Sequence, residues 1–138
     1  MLTSIKVRDY MAKNLITLRP DMELFQAISV LETNKITAAP VLDSEGDLVG
    51  ILSEGDCLKG IIKSVYYKEA GGKVADYMTQ GVETISPEDD IVDVAVSFNT
   101  KRRGRYPVVE DSRLVGQISQ RDILRAVLEI TQHPRHGA

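Results

Sequence analysis

An internal duplication constrains this chain more than any other feature. Val7-Arg8-Asp9-Tyr10-Met11 returns 67 residues later as Val74-Ala75-Asp76-Tyr77-Met78. The echo continues in order. Ile16-Thr17-Leu18-Arg19-Pro20 matches Glu83-Thr84-Ile85-Ser86-Pro87, and Ala39-Pro40-Val41-Leu42 matches Tyr106-Pro107-Val108-Val109. One residue is lost in the next turn, so Gly50-Ile51-Leu52-Ser53-Glu54-Gly55-Asp56 aligns with Gly116-Gln117-Ile118-Ser119-Gln120-Arg121-Asp122 at a spacing of 66. Self-similarity at a fixed period means one supersecondary unit built twice. The sequence therefore divides into repeats 1–66 and 67–138, with 66–72 expected as a glycine-bearing linker and 132–138 as a frayed tail.

Each repeat predicts the same elements. A short helical turn carries the Asp-Tyr-Met, and a brief strand follows, Leu15 to Leu18 and Val82 to Ile85. Pro20 and Pro87 then precede a helix whose first turn is expected to hold Asp21 and Glu23, or Glu88, Asp89 and Asp90, as the helix dipole favours. Leu24, Ala27, Ile28 and Leu31 fall at helical spacing, and Ile91, Val94, Ala95 and Phe98 repeat them, so this face is predicted core. Short apolar runs around Asp43 to Asp47 and Glu110 to Arg113 predict β-hairpins. The closing helix carries Cys57, Leu58, Ile61, Ile62 and Val65, echoed by Ile123, Leu124, Val127, Leu128 and Thr131. The fold class is α/β, two tandem β-α-β-β-α units. One unit of this size buries little core alone, so the two are expected to pack sheet to sheet about a pseudo-two-fold axis.

Composition narrows the function. A net charge of −3 argues against general affinity for nucleic acid, and no apolar run approaches a membrane span. The single cysteine, Cys57, excludes an internal disulfide framework and is expected as a small core residue. With no apolar leader at the N-terminus, a cytoplasmic location is expected. His133 and His136 have no cysteine or carboxylate cluster near them, so no metal site is expected there.

Ser53 and Ser119 each end a predicted strand and open a helix, with Asp56 and Asp122 three residues on. The spacing suits a capping box, in which the serine side chain accepts from a first-turn amide and the carboxylate answers the cap residue. The same groups suit a ligand, since an ionised Asp is acceptor-only and can take two ribose hydroxyls, while helix amides and Arg suit phosphate.

Taken together, the Asp-Tyr-Met turns, the Thr-x-x-Pro stretches, the Pro-Val of each hairpin and the duplicated Gly-x-x-Ser-x-x-Asp resemble a tandem pair of cystathionine-β-synthase (CBS) domains, a Bateman module, standing alone. The resemblance implies an adenosine-containing ligand, such as AMP, ADP, ATP or S-adenosylmethionine, held in clefts between the repeats. It also implies a homodimer formed through the amphipathic helices, and a regulatory effect on a partner protein that the sequence does not name. Carried over by position, the first site uses Ile16, Thr17, Ala39, Pro40, Ser53 and Asp56. The second uses Thr84, Arg105, Tyr106, Pro107, Ser119, Arg121 and Asp122. Tyr106 is placed to stack on adenine or to pack as an ordinary strand residue.

The repeats differ in charge. Lys101-Arg102-Arg103-Gly104-Arg105 and Arg121 belong to the second, whereas the first has Lys35 and Gly55 in the matching places. Phosphorylated adenosine is therefore expected in the second site, and a less charged ligand or none in the first. The basic run also reads as a solvated helix end. Neither serine has a histidine or lysine base in motif spacing, and no phosphate-loop or zinc-protease motif occurs, so neither catalysis nor a catalytic cofactor is expected. The alternative to a ligand sensor is a structural dimerisation scaffold with degenerate sites.

Overall fold

The computed structural model describes residues 5–67, 71–101 and 104–132. Within them lie helix α1 (Leu24–Thr33), strands β1 (Ala38–Leu42) and β2 (Leu48–Ser53), and helix α2 (Glu54–Tyr66). After these come α3 (Val74–Tyr77), α4 (Ile91–Lys101), β3 (Arg105–Glu110), β4 (Arg113–Ser119) and α5 (Gln120–Gln132). A 3-10 turn at Val7–Asp9 stands where α3 stands in the second repeat.

The chain forms two compact units, and they are not cut where the sequence repeats are cut. Ile16–Val82 forms one; the residues up to Leu15 join Glu83 onward to form the other. The lead segment of each sequence repeat thus belongs to the unit built by the other repeat's body. The backbone accounts for this. Val74 N donates to Met22 O, Ala75 N to Pro20 O and Leu24 N to Gly72 O, each at 2.9 Å. In the other unit Val7 N donates to Asp89 O, Arg8 N to Pro87 O and Ile91 N to Ile5 O, also at 2.9 Å. These bonds also correct the helix starts. Residues 20–23 are held by the lead segment, so α1 begins at Leu24 with no acidic residue in its first turn, and α4 begins at Ile91 with Asp93 as its first-turn acid.

Each unit carries an antiparallel hairpin, β1 with β2 and β3 with β4. The register places Ala38 opposite Ser53 and Arg105 opposite Ser119. The strands expected at Leu15–Leu18 and Val82–Ile85 contract to single parallel bridges, Leu18 to Val41 and Ile85 to Val108. Proline explains the contraction. A ladder continuing before Leu18 would need an N–H from Pro40, and one continuing after it would need an N–H from Pro20; neither exists. Pro107 and Pro87 stop the second ladder in the same way.

On the opposite edge Thr79 exchanges backbone hydrogen bonds with Ile51 at 2.8 and 3.0 Å, as Ala12 does with Gln117. This close approach is why the preceding residue of each strand is glycine. A Cβ on Gly50 would lie 2.8 Å from Met78 Sδ and 2.9 Å from Thr79 O; on Gly116 it would lie 2.6 Å from Met11 Sδ and 2.9 Å from Ala12 O. The Met of each Asp-Tyr-Met turn and the Gly of each later motif are thus two halves of one contact.

Each unit has its own aliphatic core. Leu18, Leu24, Ala27, Leu31, Val41 and Leu52 anchor one; Val7, Ile91, Val94, Phe98, Val108 and Ile118 anchor the other. The predicted core faces of α1 and α4 are those observed, with Ile28 and Ala95 partly buried at their margins. Among the described residues no helix is long and apolar enough to cross a membrane. Residues 133–138, the pair Arg102 and Arg103, and linker positions 68–70 lie outside the described residues.

Candidate functional site

The two serine–aspartate pairs sit where each hairpin's second strand turns into a helix. Ser53 is the N-cap of α2, and its hydroxyl accepts from Asp56 N at 3.1 Å while Asp56 Oδ2 accepts from Ser53 N at 2.9 Å. Ser119 and Asp122 repeat this at 3.2 and 2.9 Å, and the Ser119 hydroxyl also lies 3.1 Å from Asp122 Oδ2. The reciprocal cap is therefore present in both repeats, and it fixes both carboxylates. Asp56 is buried, at 7% exposure, and among the described residues its hydrogen bonds run to Ser53. Asp122 remains 20% exposed at its side chain and has a cation beside it, Arg125, whose Nη2 lies 3.4 Å from Oδ1.

The other expected site residues take defined places. Ile16 and Thr17 are exposed and run into the Leu18 bridge beside β1; Thr84 is exposed and runs into the Ile85 bridge beside β3. Ala39 and Pro40 lie buried in β1, as Pro107 does in β3. Within each repeat the Thr stretch, the hairpin's first strand and the Ser-Asp helix start therefore share one sheet.

The electrostatic contrast between repeats survives folding. Arg105 is exposed and stands in register with Ser119, where the first repeat has Ala38 opposite Ser53. Arg121 is exposed in the first turn of α5, where α2 has Gly55. Lys101 ends α4 and pairs with Glu83, so that member of the basic run is engaged in the solvated-end manner.

Of its two expected roles, Tyr106 takes the packing one: its ring is fully buried, packed on Phe98 with centroids 4.8 Å apart. Alternation explains the direction: Tyr106 shares a face of β3 with Val108, and both enter the core. Its backbone remains beside Arg105 and Pro107. The hydroxyl has no hydrogen-bond partner among the described residues. Cys57 is buried as expected, and its thiol is pushed up from the ordinary value by burial first, then by Asp56 and Glu54.

Sequence reasoning missed two things. One is Arg125, which donates to Tyr10 O at 3.0 Å, lies 5.4 Å from the Tyr10 ring centroid and reaches Asp122. Its helical spacing of three from Asp122 was the available signal. The other is a pair of open grooves on the helices. A groove of about 450 Å³ between α4 and α5 is lined by Phe98, Asn99, Gln120 and Leu124 among others. One of about 430 Å³ between α1 and α2 is lined by Leu31, Lys35, Glu54 and Leu58 among others. Neither includes Asp56 or Asp122. Leu58, Ile62 and Val65 on α2, and Leu124 and Leu128 on α5, are exposed along these faces.

Two α/β units, each an antiparallel hairpin flanked by helices with a serine–aspartate cap where strand meets helix, define a class of tandem-repeat module. The CBS domain family matches residues 7–63 and 74–129, and the chain belongs to that family. It is 35% identical over 121 residues to an inosine-5'-monophosphate dehydrogenase of Methanocaldococcus jannaschii, covering 87% of this chain and 23% of the dehydrogenase. The chain spans between 23% and 41% of the length of the first curated relatives it matches. Among solved structures, CBSX2 in complex with AMP is 29% identical with a TM-score of 0.80, over 91% of this chain and 98% of that one; CBSX2 is a CBS-pair protein from Arabidopsis thaliana. The CBS domain pair of protein MJ0100, in complex with 5'-methylthioadenosine and S-adenosyl-L-methionine, is 27% identical with a TM-score of 0.73, over 89% and 95%.

Proposed function

We propose that this chain is a regulatory, non-catalytic module that binds an adenosine-containing ligand. The carrying observation is the duplicated placement of a capped, fixed carboxylate, Asp56 and Asp122, beside a Thr stretch and a hairpin strand. A carboxylate whose orientation is already set accepts ribose hydroxyls without ordering itself first. The AMP complex of CBSX2 and the adenosyl complexes of the MJ0100 pair support the ligand class.

In this reading Asp122 holds the ribose, the exposed Thr84 and the backbone around Tyr106 and Pro107 flank the nucleoside, and Arg105 and Arg121 face the phosphate. The first repeat assigns Asp56, Thr17, Ile16, Ala39 and Pro40 the matching parts. With Glu54 and Gly55 where the second repeat has Gln120 and Arg121, it suits a less charged ligand. Ligand binding biases a conformational balance that a partner protein reads, and it does so only through differential affinity for the two states. The exposed apolar positions of α2 and α5, with the grooves beside them, favour self-association through these helices, the feature a purely structural scaffold would share.

A thermal-shift panel of AMP, ADP, ATP, S-adenosylmethionine, NAD and adenosine on the wild type and Asp122→Asn tests the reading. A ligand at a hundred times its Kd adds about 2.7 kcal/mol, which raises Tm by several degrees. The expected result is a shift with an adenosyl ligand that Asp122→Asn removes. A shift that survives the substitution moves the main site to Asp56, and no shift with any ligand favours the scaffold.

A further inference from the structure

Arg125 contacts a backbone carbonyl, an aromatic ring and the Asp122 carboxylate together. One terminal nitrogen, Nη2, lies 3.0 Å from Tyr10 O and 3.4 Å from Asp122 Oδ1. The guanidinium lies over the Tyr10 ring with its carbon 5.4 Å from the centroid. Glu129 one turn on approaches Nη1 at 3.8 Å and offers a weaker alternative. A planar amino group has two hydrogens, so Nη2 can serve both acceptors at once while the plane rests on the ring. The ring contact restrains side-chain freedom that an exposed ion pair would otherwise have to freeze.

The contacts join two places that the sequence keeps far apart. Asp122 is the proposed ribose acceptor. Tyr10 belongs to the lead segment, whose Met11 packs on Gly116 and whose Ala12 bridges Gln117. The other unit lacks the link. Lys59 occupies the position of Arg125, and among the described residues no hydrogen bond or ion pair joins it to Asp56; the Tyr77 ring lies instead against Gly60.

Resting on the ligand reading above, we propose that Arg125 is a positioning residue that couples the Asp122 ligand site to the docking of residues 5–12 on their unit. It aims the carboxylate for the nucleoside and ties it to the backbone of the lead segment, so occupancy of the second site strengthens that docking. The first site has no such coupling.

Hydrogen exchange at the Arg8 and Ala12 amides, which bond to Pro87 O and Gln117 O, reads the docking directly, with the Tyr106 amide as a control for opening of the whole unit. Without ligand, Arg125→Ala and Asp122→Asn should each speed exchange at both amides relative to the control, and the double variant should be no faster than Arg125→Ala. Arg125→Lys keeps the charge but not the planar amino group, and should stay closer to Arg125→Ala than to wild type. AMP should slow both amides in the wild type and not in Arg125→Ala, whose AMP affinity falls about fivefold, at the lower end of ordinary coupling strengths. The proposal is overturned if Asp122→Asn leaves Arg8 and Ala12 unchanged, or if AMP slows them equally without Arg125. If AMP fails to bind the wild type, the ligand reading falls, while the ligand-free comparison still decides whether Asp122 is tied to the lead segment.

Discussion

Gly116→Ala tests how the lead segment keys into the body of its unit. The added Cβ would lie 2.6 Å from Met11 Sδ and 2.9 Å from Ala12 O. The sulfur is the end of a flexible side chain and can swing aside. The carbonyl cannot, because Ala12 O accepts from Gln117 N at 3.0 Å and Ala12 N donates to Gln117 O at 2.8 Å. Relief therefore requires the bridge to separate. Overpacking of a tight contact costs about 1–3 kcal/mol, and weakening two backbone hydrogen bonds adds about 1 kcal/mol, so the loss should be about 2–4 kcal/mol. For a chain of this length that lowers Tm by roughly 6–16 °C, measurable by calorimetry. Met11→Ala in the same chain should recover only part of it, because the carbonyl contact persists. A Gly116→Ala protein that melts with the wild type would refute the reasoning, as would full rescue by Met11→Ala.

Three further outcomes follow from the same contacts. Tyr106→Phe removes a buried hydroxyl that no described residue satisfies, and should stabilise the fold by about 1 kcal/mol in urea unfolding; a loss of that size would mean the hydroxyl has a partner. Arg121→Ala and Arg105→Ala should weaken AMP about tenfold or more while leaving adenosine nearly unchanged, since each removes a cation proposed for the phosphate; equal losses for both ligands would contradict that role. Cys57 should react with a disulfide reagent at pH 8 at about a tenth or less of the rate of an exposed thiol, because burial and the neighbouring carboxylates keep the thiolate scarce, and its rate should climb only above the ordinary thiol range.

The duplication carried most of the fold in plain sight. Aliphatic spacing in Leu24 to Leu31 and Ile91 to Phe98 gave the core faces, and Ser53 and Ser119 gave the strand-to-helix turns with their caps. Where expectation and structure part, the reason is tertiary. Similarity divides the chain at its repeats, but folding divides it where backbone partners lie, so the lead segments changed units. The short strands before Pro20 and Pro87 looked extended, yet prolines on both sides of each bridge leave one paired residue. For Tyr106 both stacking and packing were open, and its two-residue spacing from Val108 is the signal that points its ring inward. Arg125 stayed hidden because its partner Tyr10 is distant in sequence.

Titration of AMP into wild type, Asp122→Asn and Asp56→Asn, followed by calorimetry, tests the central claim most directly. Asparagine keeps a carbonyl oxygen for the cap amide while removing the charge, so folding should survive the substitution. The expected result is AMP binding by the wild type, its loss in Asp122→Asn and its retention in Asp56→Asn. Equal AMP binding by all three proteins would contradict the assignment of the ligand to the serine–aspartate sites.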